Sequence, residues 1–396
     1  MLTKRRIGVV GGGQLAWMMA SAAKTLGVEL VVQTPSPDDP AVVIAADTIF
    51  APIEDAAATA LLATRCDAIT FENEFVNVEA LSTLAEQGVC FRPGLGVLAP
   101  ILDKYHQRCY LRNSGLPVPR FIDLEESRGS RGRGEEIFPT SLAQFGFPVV
   151  LKARRHGYDG QGTFIIKDIE ALKYRLAASY KQQVGHGPSF LLEEFVPFER
   201  ELAVVAARSA AGDVVTFPIV ETQQEEQVCR RVLVPADIPN TIAVEIEAIA
   251  HTLLQGLQAV GVFGIELFLT TNGSVLVNEI APRTHNSGHF TIDACETSQF
   301  EQHLRAICDL PLGNPALRCS GAVMVNLLGY ENASASDYSG KLQQLEQIPQ
   351  AHVYWYGKTE SRPGRKLGHV TILLDAQNRE QETAIAQQVE SIWYNR

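Results

Sequence analysis

Two carboxylates and a following run of cationic and amide side chains offer the clearest chemistry in this sequence. The run is Asn278-Glu279-Ile280-Ala281-Pro282-Arg283-Thr284-His285-Asn286-Ser287-Gly288-His289. It follows the apolar residues Val275, Leu276 and Val277, so Glu279 is placed at the end of a strand. A second strand pattern, Gly264-Ile265-Glu266-Leu267-Phe268-Leu269, lies upstream across a turn at Thr271-Asn272-Gly273. The pair predicts a hairpin. Antiparallel pairing can bring Glu266 and Glu279 to one face, with Asn278 beside them. Two carboxylates in that arrangement suit a hard divalent cation that holds nucleotide phosphates. Arg283 and His285 add charge and hydrogen bonding for an anionic co-substrate. A polar hairpin end capped by Arg and His explains the segment less well, because so many buriable charges adjoin apolar strands.

Further upstream, Lys152 ends the strand-like Pro148-Val149-Val150-Leu151-Lys152 and offers a compact cation to phosphates. Gly157-Tyr158-Asp159-Gly160-Gln161-Gly162-Thr163 follows. Backbone amides of such a loop can close over phosphates. No Gly-Lys-Ser/Thr follows it, so it is not a Walker loop. Glu193-Glu194-Phe195-Val196 leaves the strand at 190–192 in the manner of a nucleotide hinge. Its backbone would read adenine, and Glu201 would hold ribose hydroxyls. Each feature alone is also an ordinary surface feature. Their order strengthens the reading: lysine, glycine loop, hinge acids, then two metal carboxylates.

These groups need a scaffold. The first third alternates strand and helix signals: Ile7–Val10, a helix over 14–26, Val28–Val32 and Ala68–Phe71. That alternation predicts a parallel sheet with crossover helices. Its first turn, Gly11-Gly12-Gly13-Gln14-Leu15-Ala16, places glycines before a helix N-terminus, where amides favour an anion. A dinucleotide site would want an acid at the end of the second strand. Val31-Val32-Gln33-Thr34 offers none, so a small phosphorylated substrate is the preferred reading. Leu116-Pro117-Val118-Pro119 reads as a linker that ends a helix begun near Lys104. The Arg/Gly-rich stretch 125–139 reads as a solvated loop, being short and without aromatics for stacking on nucleic acid. An amphipathic helix is predicted over 241–260. A smaller α/β tail begins near Cys319 and carries Arg362-Pro363-Gly364-Arg365-Lys366 before a strand at 369–374.

At 396 residues, the chain predicts two or three domains. Its net charge of -11 opposes nonspecific binding to nucleic acid or anionic membranes. No apolar run is long enough to span a bilayer, and no signal peptide follows the basic N-terminus. Seven scattered cysteines without a CxxC pair suggest reduced thiols in a cytoplasmic protein.

Taken together, the chain resembles the ATP-grasp superfamily over nearly its whole length. More narrowly, it resembles the 5-(carboxyamino)imidazole ribonucleotide synthase family of purine biosynthesis. The residues that carry the resemblance are Gly11-Gly12-Gly13-Gln14-Leu15, Thr70-Phe71-Glu72-Asn73-Glu74, the loop from Gly157 to Gly162, the Asn278–His289 run and Arg362-Pro363-Gly364-Arg365-Lys366-Leu367-Gly368-His369. The resemblance implies an α/β fold with an N-terminal Rossmann-like parallel-sheet domain over 1–115. A central ATP-grasp domain would span 116–318 and a small C-terminal α/β domain 319–396.

It also implies a reaction: ATP phosphorylates bicarbonate, and carboxyphosphate delivers CO2 to the amine of aminoimidazole ribonucleotide. ATP would be held by Lys104, Lys152, the seven residues from Gly157 to Thr163, Glu193, Glu194, Phe195, Val196, Glu201, Gln224, Asn278 and Glu279. Glu266 and Glu279 would bind Mg2+, with two ions expected. Tyr158, Asp159, Arg283, His285 and Asn286 would act on the reacting groups. Gln14, Leu15, Glu74, Lys358, Arg365 and Lys366 would hold the ribonucleotide, and the protein would be a homodimer. Gln223-Gln224 stands where this family often has His, and 125–139 looks like an insertion. Competing readings are a formate-dependent glycinamide ribonucleotide transformylase, an NAD-dependent oxidoreductase and a non-catalytic nucleotide-binding module. The missing second-strand acid argues against the oxidoreductase, and the intact carboxylate pair argues against the last two.

Overall fold

The structure, a computed structural model, describes residues 4–124, 145–155, 162–181, 189–334 and 337–394. Its first layer is a four-stranded parallel sheet of Asp47–Phe50, Glu29–Thr34, Arg6–Val10 and Ala68–Phe71, in that spatial order. The buried runs Ile7–Val10 and Leu30–Thr34 match a sheet covered on both faces. The helix predicted over 14–26 is two short helices, Gln14–Met18 and Ala20–Leu26. They divide at Met19, whose amide bonds the Ala16 carbonyl three residues back rather than four.

The helix Lys104–Asn113 leads out of this domain. Asp103 caps it, its carboxylate accepting from the amides of Tyr105 and His106. A four-stranded antiparallel sheet follows, formed by Phe121–Asp123, Phe190–Glu194, Val149–Ala153 and Thr163–Ile166. Among the described residues the larger sheet holds nine strands. It runs from Val275–Ala281 through Gly261–Thr270, Phe198–Arg208, Val220–Glu225 and Val228–Val234. It then continues through Gly321–Leu328 and Lys366–Leu374 to Ala351–Trp355, with Val214–Thr216 on the side. The predicted C-terminal tail is therefore not a separate sheet: Gly321–Leu328 pairs directly with Val228–Val234.

The amphipathic helix is observed at Asn240–Leu257 and buries Ile246, Ile249, Leu253 and Leu254 against one face of the large sheet. The helix Gln299–Ile307 joins the layers. Ser298 caps it by accepting from the Glu301 amide. Phe300, Leu304 and Ile307 enter the core of the first domain. His303 lies 2.8 Å from the Thr70 hydroxyl of the parallel sheet and accepts from the Val262 amide of the large one. All seven cysteines are free thiols, and no described helix is long and apolar enough to cross a membrane.

Candidate active site

The predicted hairpin forms, and Glu266 stands directly opposite Glu279 in its antiparallel register. The next register pair is Leu267 with Val277, so Asn278 is the extra residue of a β-bulge. A bulge re-aims side chains that would otherwise alternate between faces. Here Asn278 accepts a hydrogen bond from Lys152 at 3.0 Å, while Glu279 pairs with Lys104 at 2.6 Å. His285 approaches Glu266 at 3.4 Å. Burial alone would raise the Glu266 carboxyl, but His285 and Lys104 outweigh it and hold the group at about 2. Both carboxylates keep partial exposure to a cavity of about 790 Å³. Among the described residues no cluster of three or more metal-binding side chains occurs. Two facing carboxylates still fit Mg2+, which takes one or two protein carboxylates and completes its shell with water and phosphate.

Lys152 and Glu193 are more deeply placed than the sequence suggested. Both are almost wholly buried, together with Arg108. Glu193 spends one oxygen on Arg108 at 2.6 Å and the other on Lys152 at 2.7 Å. Burial opposes its charge, yet the two cations pull the carboxyl down to about 2. The Glu193 side chain therefore anchors Lys152, which leaves the hinge role read from the sequence to the backbone of this segment. Arg108 also donates to the Asn278 carbonyl at 2.5 Å, locking the bulge. No sequence signal singled out Arg108. Its partners lie 85 and 170 residues away.

Along the hinge, Glu194 pairs with Arg120 at 2.6 Å, Phe195 is partly exposed and Val196 is buried. Glu201 lies on the same sheet face as Glu266. Burial and the Glu266 charge push its carboxyl up to about 7. Gln224 hydrogen-bonds Glu201 and lines the cavity. A register slip separates it from Gln223, which donates to Glu221 at 2.9 Å instead. Phe198 and Phe268 stack at 4.7 Å beside Glu201, a flat apolar surface that the sequence did not reveal.

On the cavity lining, Arg283 pairs with Glu74 at 2.7 Å. Glu74, Lys104, Thr163, Glu266, Glu279, Arg283, His285, Asn286 and Lys366 all line this one space. The glycine turn holds an internal partner. Glu72 is buried and accepts from the amides of Gly13 at 2.9 Å and Leu15 at 3.2 Å. Two of the amides expected to bind a phosphate are thus filled by an internal carboxylate. Burial pushes the Glu72 carboxyl up, and the Gly13 and Leu15 amides with the Arg283 and Lys358 charges offset only part of that. The Leu15 amide bonds Glu72 and the Lys358 charge acts on it, but Gln14, Leu15 and Lys358 do not line the cavity. Lys358 donates to the Lys366 carbonyl at 2.9 Å. Arg365 pairs with Glu360 at 3.3 Å, also outside the lining. Gly157, Tyr158, Asp159, Gly160 and Gln161 lie outside the described residues, as does the stretch 125–139.

Comparison with known proteins places this arrangement. The ribonucleotide synthetase preATP-grasp domain matches residues 4–99, and the ATP-grasp domain matches 109–300. The phosphoribosylaminoimidazole carboxylase C-terminal domain matches 322–383. An N5-carboxyaminoimidazole ribonucleotide synthase from Synechococcus elongatus is 53% identical over 395 residues, covering 99% of this chain and 96% of that protein. The chain belongs to the N5-carboxyaminoimidazole ribonucleotide synthase family. A family structure from Thermotoga maritima superposes with a TM-score of 0.83 at 37% identity, covering 98% of both chains. One from Aspergillus clavatus, in complex with ADP and 5-aminoimidazole ribonucleotide, has a TM-score of 0.88 at 29% identity and covers all of both chains. Within that family framework, the facing carboxylates and the cavity cations of this chain line one cleft, and the buried Lys152 reaches Asn278 next to Glu279.

Proposed function

We infer that this chain is an ATP-dependent ligase that carboxylates 5-aminoimidazole ribonucleotide in purine biosynthesis. The observation that carries the reading is one cavity lined by two chemical groups. Glu266, Glu279 and Lys104 suit nucleotide phosphates, and Arg283, Glu74 and Lys366 suit an anionic ribonucleotide.

Bicarbonate is the carboxyl source. Its oxygen attacks the γ-phosphorus of ATP and ADP departs. Carboxyphosphate then breaks into CO2 and phosphate, and the substrate amine adds to CO2 and loses a proton. Lys104 stands at the cavity wall and Lys152 just behind it, where they can offset phosphate charge. Mg2+ held by Glu266 and Glu279 would neutralise charge on the transferring phosphoryl group. The partly enclosed cavity limits loss of carboxyphosphate to water. Glu201 and the 193–196 backbone are assigned to the nucleoside, with Phe198 and Phe268 as an adjoining apolar wall.

The division into 1–115, 116–318 and 319–396 is supported by the limits of the three matched domains. A cytoplasmic homodimer follows the same family resemblance, and light scattering checks the oligomer. The reaction is tested by ADP release with ribonucleotide, with and without bicarbonate. Release that requires formate in place of bicarbonate would move the chain to a transformylase activity.

A further inference from the structure

His285 faces Glu266, and three neighbours fix how it does so. Its ring lies against the backbone of Gly264: a Cβ built there would stand 2.4 Å from both Cβ and Cγ of His285. Its Nδ1 lies 2.8 Å from the Ser287 hydroxyl and accepts from the Ser287 amide at 3.4 Å. An accepting Nδ1 leaves the ring proton on Nε2, the atom that faces Glu266.

The third neighbour is Gln299, which is fully buried at the start of the helix Gln299–Ile307. Its Oε1 accepts from the His285 amide at 2.8 Å. Its Nε2 donates to the His285 carbonyl at 2.8 Å and lies 3.1 Å from Nδ1 of the buried His289. Each polar function of this side chain is therefore used, and two of its three bonds clamp one residue. The Gln299 amide in turn donates to the Thr291 hydroxyl at 2.9 Å, closing the loop 285–291 onto the helix. Gly288 is needed for the fit, since a Cβ there would meet Gln299 Oε1 at 2.7 Å.

We propose that Gln299 is a positioning residue for the carboxylation reaction, acting through the backbone of His285 to aim its Nε2–H at Glu266. Its seat is rigid because the helix it begins is anchored on the core of the first domain. Loss of the clamp frees the loop to rotate, so the imidazole no longer holds one tautomer against Glu266. The proposal rests on the reaction assigned above only for its kinetic readout.

The test compares wild type, Gln299→Met, His285→Asn and the double variant. Gln299→Met should lower kcat by about 10- to 100-fold, the usual cost of removing an outer-shell partner, with KM for ATP changed much less. In the His285→Asn background the same change should cost little more, because it acts through the imidazole. Nitrogen-15 spectra, with the His285 signal assigned by its loss in His285→Asn, should show an Nε2–H tautomer in wild type and an averaged ring in Gln299→Met. This spectroscopic arm needs no turnover. Wild-type protein without ribonucleotide-dependent ADP release overturns the assigned reaction, whereas an unchanged His285 signal in a folded Gln299→Met overturns the positioning role. Additive kcat losses in the double variant also overturn it. If Gln299→Met does not fold, Gln299→Asn takes its place. Failure of both to fold makes Gln299 a fold residue and removes the proposal.

Discussion

Glu193→Gln tests whether the buried lysine is held by charge. The substitution keeps the shape of the side chain and removes one negative charge from between Arg108 and Lys152. In the folded protein the Glu193 carboxyl is pulled from 4.5 to about 2. A shift of that size corresponds to roughly 3 kcal/mol of stability. Because the folded value is depressed, this contribution is complete above about pH 4.5 and is lost as the pH falls toward about 2. Breaking one side of a buried ion pair costs about 3–5 kcal/mol by an independent route, and the two figures agree near 3. Lys152 can relieve part of the cost by shedding its proton, since burial already lowers its affinity for one. It then loses the charge it offers to phosphate. A lost charged hydrogen bond is worth about 1.5–3 kcal/mol, so ATP affinity should fall by about one to two decades. Urea unfolding at pH 7 reads the first effect and nucleotide titration the second. In acid, the variant should lack the part of the stability loss between about pH 4.5 and 2 that Glu193 supplies in wild type. A variant within about 0.5 kcal/mol of wild type at pH 7, with an unaltered acid profile, would refute the reasoning.

Glu201 has the opposite sign: its carboxyl is raised to about 7, so it is largely protonated below that pH in the free protein. Ribose hydroxyls donate best to the ionised form, so ADP affinity should strengthen as pH rises through about 7. Glu201→Gln should remove that component, with the ligand's own titration common to both proteins. Glu279→Gln should fold normally but lose Mg2+-dependent turnover, and near-normal ADP release at ordinary Mg2+ would remove Glu279 from the metal site. Lys366→Ala should weaken ribonucleotide binding by about one to two decades, and Arg365→Ala should do so more than it weakens ATP binding. Paired titrations separate these, and equal loss of both ligands would give the segment a structural role. Gly264→Ala should depress kcat far more than it lowers the unfolding midpoint, because the added methyl displaces His285 before it disturbs the sheet. Parallel losses of both would count against that seat.

Local pattern carried much of this molecule. The alternation at 275–277 and the turn at 271–273 gave the hairpin, but an unbroken period of two would set Asn278 across from Glu266, and the bulge is what brings Glu279 there. The first-domain strands were legible because each is a short apolar run between turn residues. The bulge at Asn278 was not, since a bulge is a property of two strands in register and leaves no period of its own. Arg108 looks like any charged position on a polar helix, and only the folded chain brings Glu193 to it. Glu72 was visible as part of a motif. Its capture of the Gly13 and Leu15 amides depends on the pairing of the first and fourth parallel strands, which local spacing does not encode. Gln299 escaped for the same reason, because an amide's value lies in the partners it reaches.

The strand Val228–Val234 has neighbours from both sides of the proposed 318/319 boundary, and this changes what a domain means here. The last matched region is not an appended module that could be cut away at its linker. Removing it would strip the ladder from Val228–Val234 and leave a bare, β-branched edge in the middle of a former sheet. Such an edge invites pairing with another copy, so a chain ending at residue 318 should precipitate rather than persist as a smaller enzyme. A replacement for the C-terminal segment would have to continue the same hydrogen-bond ladder along Val228–Val234.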